Sequence, residues 1–164
     1  MGNLGEVAIA EQEYAHARSF LDESLSLRRE IGDERGIAFC LIRFANLECA
    51  CHNYSQARDL YREGLSLYRK VGDRRAIASA LQGWAELSAS LGQIVPAVRL
   101  WSAAEMIYQS LGAVLPPSYL SRYAQALAHA RRELGEEAFQ QAWDEGKEIN
   151  SDQLIDSLLS DPAS

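Results

Sequence analysis

The chain has 164 residues, 48% apolar and 24% charged, with four prolines and a net charge of −7. That is enough chain for one domain with a sizeable core, and too apolar a composition for a disordered segment. The acidic balance argues against nucleic acid as a partner, because phosphate binding rests on Lys and Arg, and here the arginines are interleaved with Glu and Asp.

Threonine is absent and Val and Ile are sparse, while Ala, Leu, Glu, Arg, Ser and Gln dominate, a bias toward helix over strand. No apolar run approaches the roughly 18 residues that a membrane helix needs. The opening Met1-Gly2-Asn3-Leu4-Gly5-Glu6 has neither the basic start nor the apolar core of a secretion signal. Three cysteines, an odd number, do not form a disulfide framework, so a reducing cytoplasm is the expected compartment.

Along the chain the main signal is self-similarity. Residues 14–53 written above 54–93 share roughly 16 identities in an ungapped register of about 40 residues. Tyr14-Ala-His-Ala-Arg18 sits over Tyr54-Ser-Gln-Ala-Arg58, Leu25-Ser-Leu27 over Leu65-Ser-Leu67, and Gly32-Asp33 over Gly72-Asp73. A weaker third copy continues through Ala97, Trp101, Ala104, Leu111 and Gly112. Residues 1–13 align with the end of a preceding unit, Leu4-Gly5 falling under Phe44-Ala45 and Trp84-Ala85. Met1 then lies inside the first helix of a pair whose upstream neighbour is missing. This predicts a fragment or shortened relative whose open N-terminal edge favours self-association.

Each unit reads as two helices. Ala57, Leu60, Tyr61, Gly64, Leu65, Tyr68 and Val71 step by three and four, one buried stripe, and Gly32 and Gly72 stop the helices they follow. Ile77, Leu81, Trp84, Ala85 and Leu87 open the next helix, closed near Gly92. Pairs of this kind leave apolar surface uncovered until a neighbour stacks on it, which predicts a solenoid. Small residues alternate with large ones at fixed register: Ala17, Ala57 and Ala97; Leu21, Tyr61 and Trp101; Ser24, Gly64 and Ala104.

That small–large–small order, with the large–small pairs Leu4-Gly5, Phe44-Ala45 and Trp84-Ala85, resembles the tetratricopeptide repeat through about residue 113. The period is nearer 40 than 34, and a longer second helix ending in Gly-Asp replaces the usual helix-ending proline. The fold expected is therefore all-α: antiparallel helix-pair repeats in a tetratricopeptide-like solenoid over 1–113, C-terminal capping helices over 114–161, and a tail at 162–164.

Past Gly112 the pattern changes. Pro116-Pro117-Ser118 forces an extended stretch before a helix from about Ser118 to Leu134. A second helix carries Phe139, Ala142 and Trp143 and stops near Gly146, and Ser151-Asp152 caps a last short one. Arg99-Leu-Trp-Ser-Ala-Ala-Glu105, Leu115-Pro-Pro117 and Leu134-Gly-Glu-Glu-Ala-Phe139 resemble the C-terminal repeat region of large bacterial ATPase regulators, including LuxR-type transcriptional regulators and adenylate cyclase-like sensors. The resemblance implies the sensing or docking arm alone, since no Gly-x-x-x-x-Gly-Lys-Ser/Thr loop and no basic recognition helix is present.

Candidate chemistry is thin. Cys49-x-Cys51-His52 has a metal-like look, but positions i and i+2 on a helix point apart, and the counterparts Ala89, Leu91 and Gly92 are ordinary packing residues. His16, His52 and His129 are isolated, with no nucleophile elbow or zinc-helix motif around them. No enzyme, metal or cofactor is expected. The resemblance does imply a concave groove lined by the first helix of each pair. Its register places Asn3, Glu6, Phe39, Arg43, Asn46, Gln82 and Glu86 there, with Tyr119 and Arg122 beyond. The chaperone-tail clamp of some relatives needs Lys and Asn where this chain has Gly2, Glu6, Arg43, Ser79 and Gly83, so that ligand is not expected. A protein or peptide is the expected partner. A metabolite captured in the same groove is the alternative.

Overall fold

The computed structural model describes the backbone of residues 3–115 and 117–160, and side chains over 13–115 and 119–160. Eight helices follow one another among them: α1 (Asn3–Glu30), α2 (Glu34–Ala50), α3 (Tyr54–Val71), α4 (Arg74–Ser90), α5 (Ile94–Ser110), α6 (Pro117–Leu134), α7 (Glu136–Glu148) and α8 (Ser151–Ser160). The fold is all-α, a tetratricopeptide-like stack of antiparallel helix pairs. α2 packs along α3 and α4 along α5, with α3 against α4 and α1 against α2 joining the units.

Local chemistry sets the boundaries. Asp33 and Asp73 cap α2 and α4, their carboxylates accepting from the backbone N–H of Gly36 at 2.9 Å and Ala76 at 3.0 Å. Gly72 ends α3 at φ 70°, a left-handed turn in which the Gly72 and Asp73 N–H groups donate back to the carbonyls of Arg69 and Tyr68. The turn after α2 places His52 at φ 61°, where the next repeat has Gly92. Histidine tolerates this region better than most side chains, and its Nδ1 lies 2.8 Å from the Tyr54 hydroxyl.

The core follows the small–large alternation. Ala57, Ala97 and Ala104 are fully buried, and beside them Tyr61 and Trp101 are each 1% exposed. A buried indole withdraws on the order of 200 Å² from water, worth roughly 5 kcal/mol before entropy is charged against it. Gly64 admits Ile42, whose Cδ1 lies 2.7 Å from where a Cβ would stand. Val71, assigned by its period to the buried stripe, is 38% exposed; it is the last residue of α3.

Two features depart from the expected plan. α1 is one unbroken helix of 28 residues, whereas the register anticipates a turn near residues 11–13. The reason is local: the turn positions occupied elsewhere by Cys51-His52-Asn53 and Leu91-Gly92-Gln93 hold Glu11-Gln12-Glu13, three residues with no tendency to leave the helix. The docking of α1 on α2 rests partly on Glu48, which is buried and pairs with Arg18 while also accepting from the Asn53 side chain at 2.7 Å.

The second departure concerns the C-terminal helices, expected to cover the last repeat. α7 does so, lying directly against α5: a Cβ at Gly146 would stand 2.5 Å from the Arg99 carbonyl, and the Ser102 hydroxyl donates to the Trp143 carbonyl at 2.6 Å. Phe139 stacks on Trp143 at 5.7 Å. α8 then reaches past the last repeat to α3, where Arg69 pairs with Asp156 and the Arg62 guanidinium donates to the Leu158 carbonyl at 3.3 Å.

Candidate functional site

The first helices of the pairs, α2, α4 and α6, line a concave groove. Its larger lobe, about 660 Å³, is walled by Phe39, Arg43 and Asn46 from α2, Gln82 and Glu86 from α4, and Tyr119 and Arg122 from α6. Seven of the nine side chains assigned to a groove from sequence therefore meet in one place. Asn3 and Glu6 lie outside the described side chains, and their backbone belongs to unbroken α1 rather than to a separate first helix. A second lobe of about 570 Å³ continues the groove toward the helix starts, sharing Phe39, Tyr68, Ala76, Ser79 and Tyr108 with the first. Arg28, Asp33, Arg35, Asp73 and Arg75 surround it.

Helical spacing explains how these side chains converge. Phe39, Arg43 and Asn46 are four and three residues apart on α2, so they form one stripe, and the Arg43 guanidinium sits over the Phe39 ring at 5.0 Å from its centre. Gln82 and Glu86 repeat that spacing on α4, and Tyr119 and Arg122 on α6, with Arg122 over the Tyr119 ring at 5.9 Å. Glu86 and Arg122 then pair across the gap between α4 and α6. Tyr119 stacks on Tyr123 at 5.6 Å, linking the rim to the core.

The second helices supply walls that the register did not assign to the groove. Tyr61 and Tyr68 of α3 and Tyr108 of α5 are core residues that also line the groove. Tyr61 donates to the Asn46 side-chain oxygen. Gly83 makes room for it, since a Cβ there would stand 2.5 Å from the Tyr61 oxygen. The size of tyrosine permits both roles, since a ring can be buried while its polar tip stays at a wet edge.

Gln82 is 4% exposed, and its two ends fare differently. Oε1 accepts from the Tyr108 hydroxyl at 3.4 Å, while Nε2 has no partner among the described residues. Turning the amide over only exchanges which end is unserved. A buried donor left unmet costs about 1–3 kcal/mol, so the floor of the groove favours an acceptor that reaches it.

The groove's phenols and thiol are held neutral. Burial pushes Tyr68 up to about 12 and Cys49 up to about 11. Burial also raises Tyr61, Tyr108 and Tyr119, Tyr119 being further raised by the Glu86 carboxylate beside it. At neutral pH these groups can donate or accept hydrogen bonds, and the charges of the groove are guanidinium and carboxylate alone. Among the described residues no group of three or more His, Cys, Asp or Glu is placed to hold a metal ion. No described helix is long and apolar enough to cross a membrane.

Stacked helix pairs with a concave polar groove define the class: a helical-repeat structure of tetratricopeptide type. Residues 1–70, covering α1, α2 and nearly all of α3, match the tetratricopeptide repeat family. Repeats of this family generally mediate contacts between proteins and are typically non-catalytic. Neither a curated protein nor a solved structure matches the chain.

Proposed function

We propose that the chain is a non-catalytic scaffold that binds a protein or peptide in the groove along α2, α4 and α6. The observation that carries this reading is the unserved Gln82 amide in a continuous groove walled by Phe39, Tyr68, Tyr108 and Tyr119. A polypeptide brings a backbone carbonyl for the amide and side chains for the aromatic walls, and a few such anchors dominate affinity. The resemblance of the sequence at residues 99–105, 115–117 and 134–139 to the repeat region of bacterial ATPase regulators is what favours a cytoplasmic role as the interaction arm of a signalling or transcriptional regulator. A second contact, self-association through α1 and the turn that follows it, is supported by Phe20, Leu27 and Ile31, which are 72%, 55% and 77% exposed.

The test is selection of binders from a displayed random peptide library, followed by rescreening against Phe39→Ala and Arg122→Ala. Loss of binding by most selected peptides is the expected result; a selection returning only binders indifferent to both substitutions refutes the groove. A metabolite screen by thermal shift separates the small-molecule alternative, because a ligand that binds the folded state raises the midpoint by mass action. Light scattering that returns a monomer across a wide concentration range removes the self-association.

A further inference from the structure

We propose that two copies of the chain exchange the N-terminal halves of α1, each half taking the first-helix place that is empty beside the other copy's α1. This rests on the self-association reading above and supplies its geometry. In the next two units the second helix is covered by its own first helix, α2 lying along α3 and α4 along α5. By register the latter half of α1 is a second helix too. The residues that would form its partner instead run on in the same helix, because Glu11-Gln12-Glu13 make no turn.

The uncovered face shows in the burial. Ala17 is exposed where Ala57 and Ala97 are fully buried, and Leu21 is half-buried where Tyr61 and Trp101 are each 1% exposed. Phe20 is 72% exposed where Leu100 is 3%. The occupant with the matching register is the extension itself, since residues 1–13 align with the ends of α2 and α4. Leu4 falls where those helices bury Phe44 and Trp84, and Gly5 where they bury Ala45 and Ala85.

Within one chain the extension cannot lie on this face. In a continuous helix, at about 1.5 Å per residue, Asn3 stands roughly 27 Å along the axis from Leu21. The α1 of a second copy, laid antiparallel, reaches it. On α3, Tyr61 meets Asn46 of α2, and Gly64 faces the end of Ile42. Moved back by one unit, these become Leu21 on Glu6 and Ser24 on Gly2, which places a two-fold axis beside Glu13. About 20 residues of each α1, a length of roughly 30 Å, are then paired. The contact is the same on both copies, so it closes at two chains, and a hinge that has straightened is how such an exchange arises.

Light scattering on the full chain tests this, with far-UV circular dichroism as the check on folding. The parent is expected to have the mass of two chains. Glu11→Leu, Gln12→Gly and Glu13→Gln together copy the turn Leu91-Gly92-Gln93 into the hinge. The extension then folds back on its own α1, and this variant is expected to be a monomer. Phe20→Ser, at an exposed position, should raise the dimer dissociation constant about tenfold or more. The same register sets Ile9 of one copy opposite Ala17 of the other. Mixed Ile9→Cys and Ala17→Cys proteins, both carrying Cys51→Ser to remove the exposed thiol, should therefore cross-link on mild oxidation, and neither should do so alone. A turn variant as dimeric as the parent, or no cross-link between positions 9 and 17, overturns the exchange while self-association through α1 stands. A parent that is monomeric across a wide concentration range overturns both.

Discussion

Replacing Gly146 by alanine would place a Cβ 2.5 Å from the Arg99 carbonyl oxygen, 2.8 Å from the Ser102 Cβ and 2.9 Å from the Arg99 Cα. Two of those three atoms are backbone of α5, so no rotamer change relieves the overlap and α7 must move away from α5. Overpacking of this kind costs about 1–3 kcal/mol, and an obstacle made of backbone belongs at the upper end. Alanine in a helix interior regains about 1 kcal/mol over glycine, leaving a net loss of about 2 kcal/mol. At a urea dependence of roughly 2 kcal/mol per molar, the unfolding midpoint should fall by about 1 M, read by tryptophan fluorescence with the slope unchanged. Gly64→Ala is the control. Its closest neighbour is the end of the Ile42 side chain at 2.7 Å, and backbone is no nearer than 3.3 Å, so a loss below about 1 kcal/mol is expected. A Gly146→Ala protein as resistant to urea as the parent would show that α7 does not lie on α5 as described.

Three further outcomes follow from the geometry. Gln82→Met removes a buried donor with no partner among the described residues but also the acceptor of the Tyr108 hydroxyl, so the two effects should offset to within about 1 kcal/mol, and a larger loss of thermal stability for the variant would contradict that accounting. Glu48→Ala should loosen α1, since it takes the partner from both Arg18 and Asn53; limited proteolysis should then cut within α1 at least severalfold faster, and an unchanged digest would count against the pairing. Asp33 is held below the ordinary carboxylate value, chiefly by the Gly36 N–H and then by Arg28. Its contribution is therefore complete above the unfolded value near 3.8 and disappears as pH falls through the lower folded value. The thermal midpoint should decline in that acidic window, and Asp33→Asn should decline less steeply over it; equal slopes would remove Asp33 from the explanation.

The repeat itself was readable in advance because stacking demands it. Ala57 and Ala97 can be nothing larger where helices cross, and Tyr61 and Trp101 fill the space beside them, so a register of about 40 residues located α2 through α5 and the stripe that lines the groove. Residues 39, 43, 46, 82, 86, 119 and 122 came together because helical spacing is fixed once the helix and its exposed face are known. What escaped had a different cause in each case. The unbroken α1 depends on the absence of a turn residue at 11–13, a negative signal that alignment to the other units overrode. Tyr61, Tyr68 and Tyr108 serve core and groove at once, and a stripe of apolar residues does not say which ring also lines the groove. The reach of α8 back to α3 is a tertiary choice between two apolar surfaces, and no periodicity within either helix encodes it.

That return of α8 alters how the molecule would answer a mechanical load. A stack in which every unit touches only its neighbours comes apart from its free end, one unit after another, at low tension. Here α8 is tied by Arg69–Asp156 and Arg62–Leu158 to a helix 87 and 96 residues upstream. Traction on the C-terminus would have to shear that strap before α7 or α5 could lift away. In that geometry α8 would act as a latch on α3.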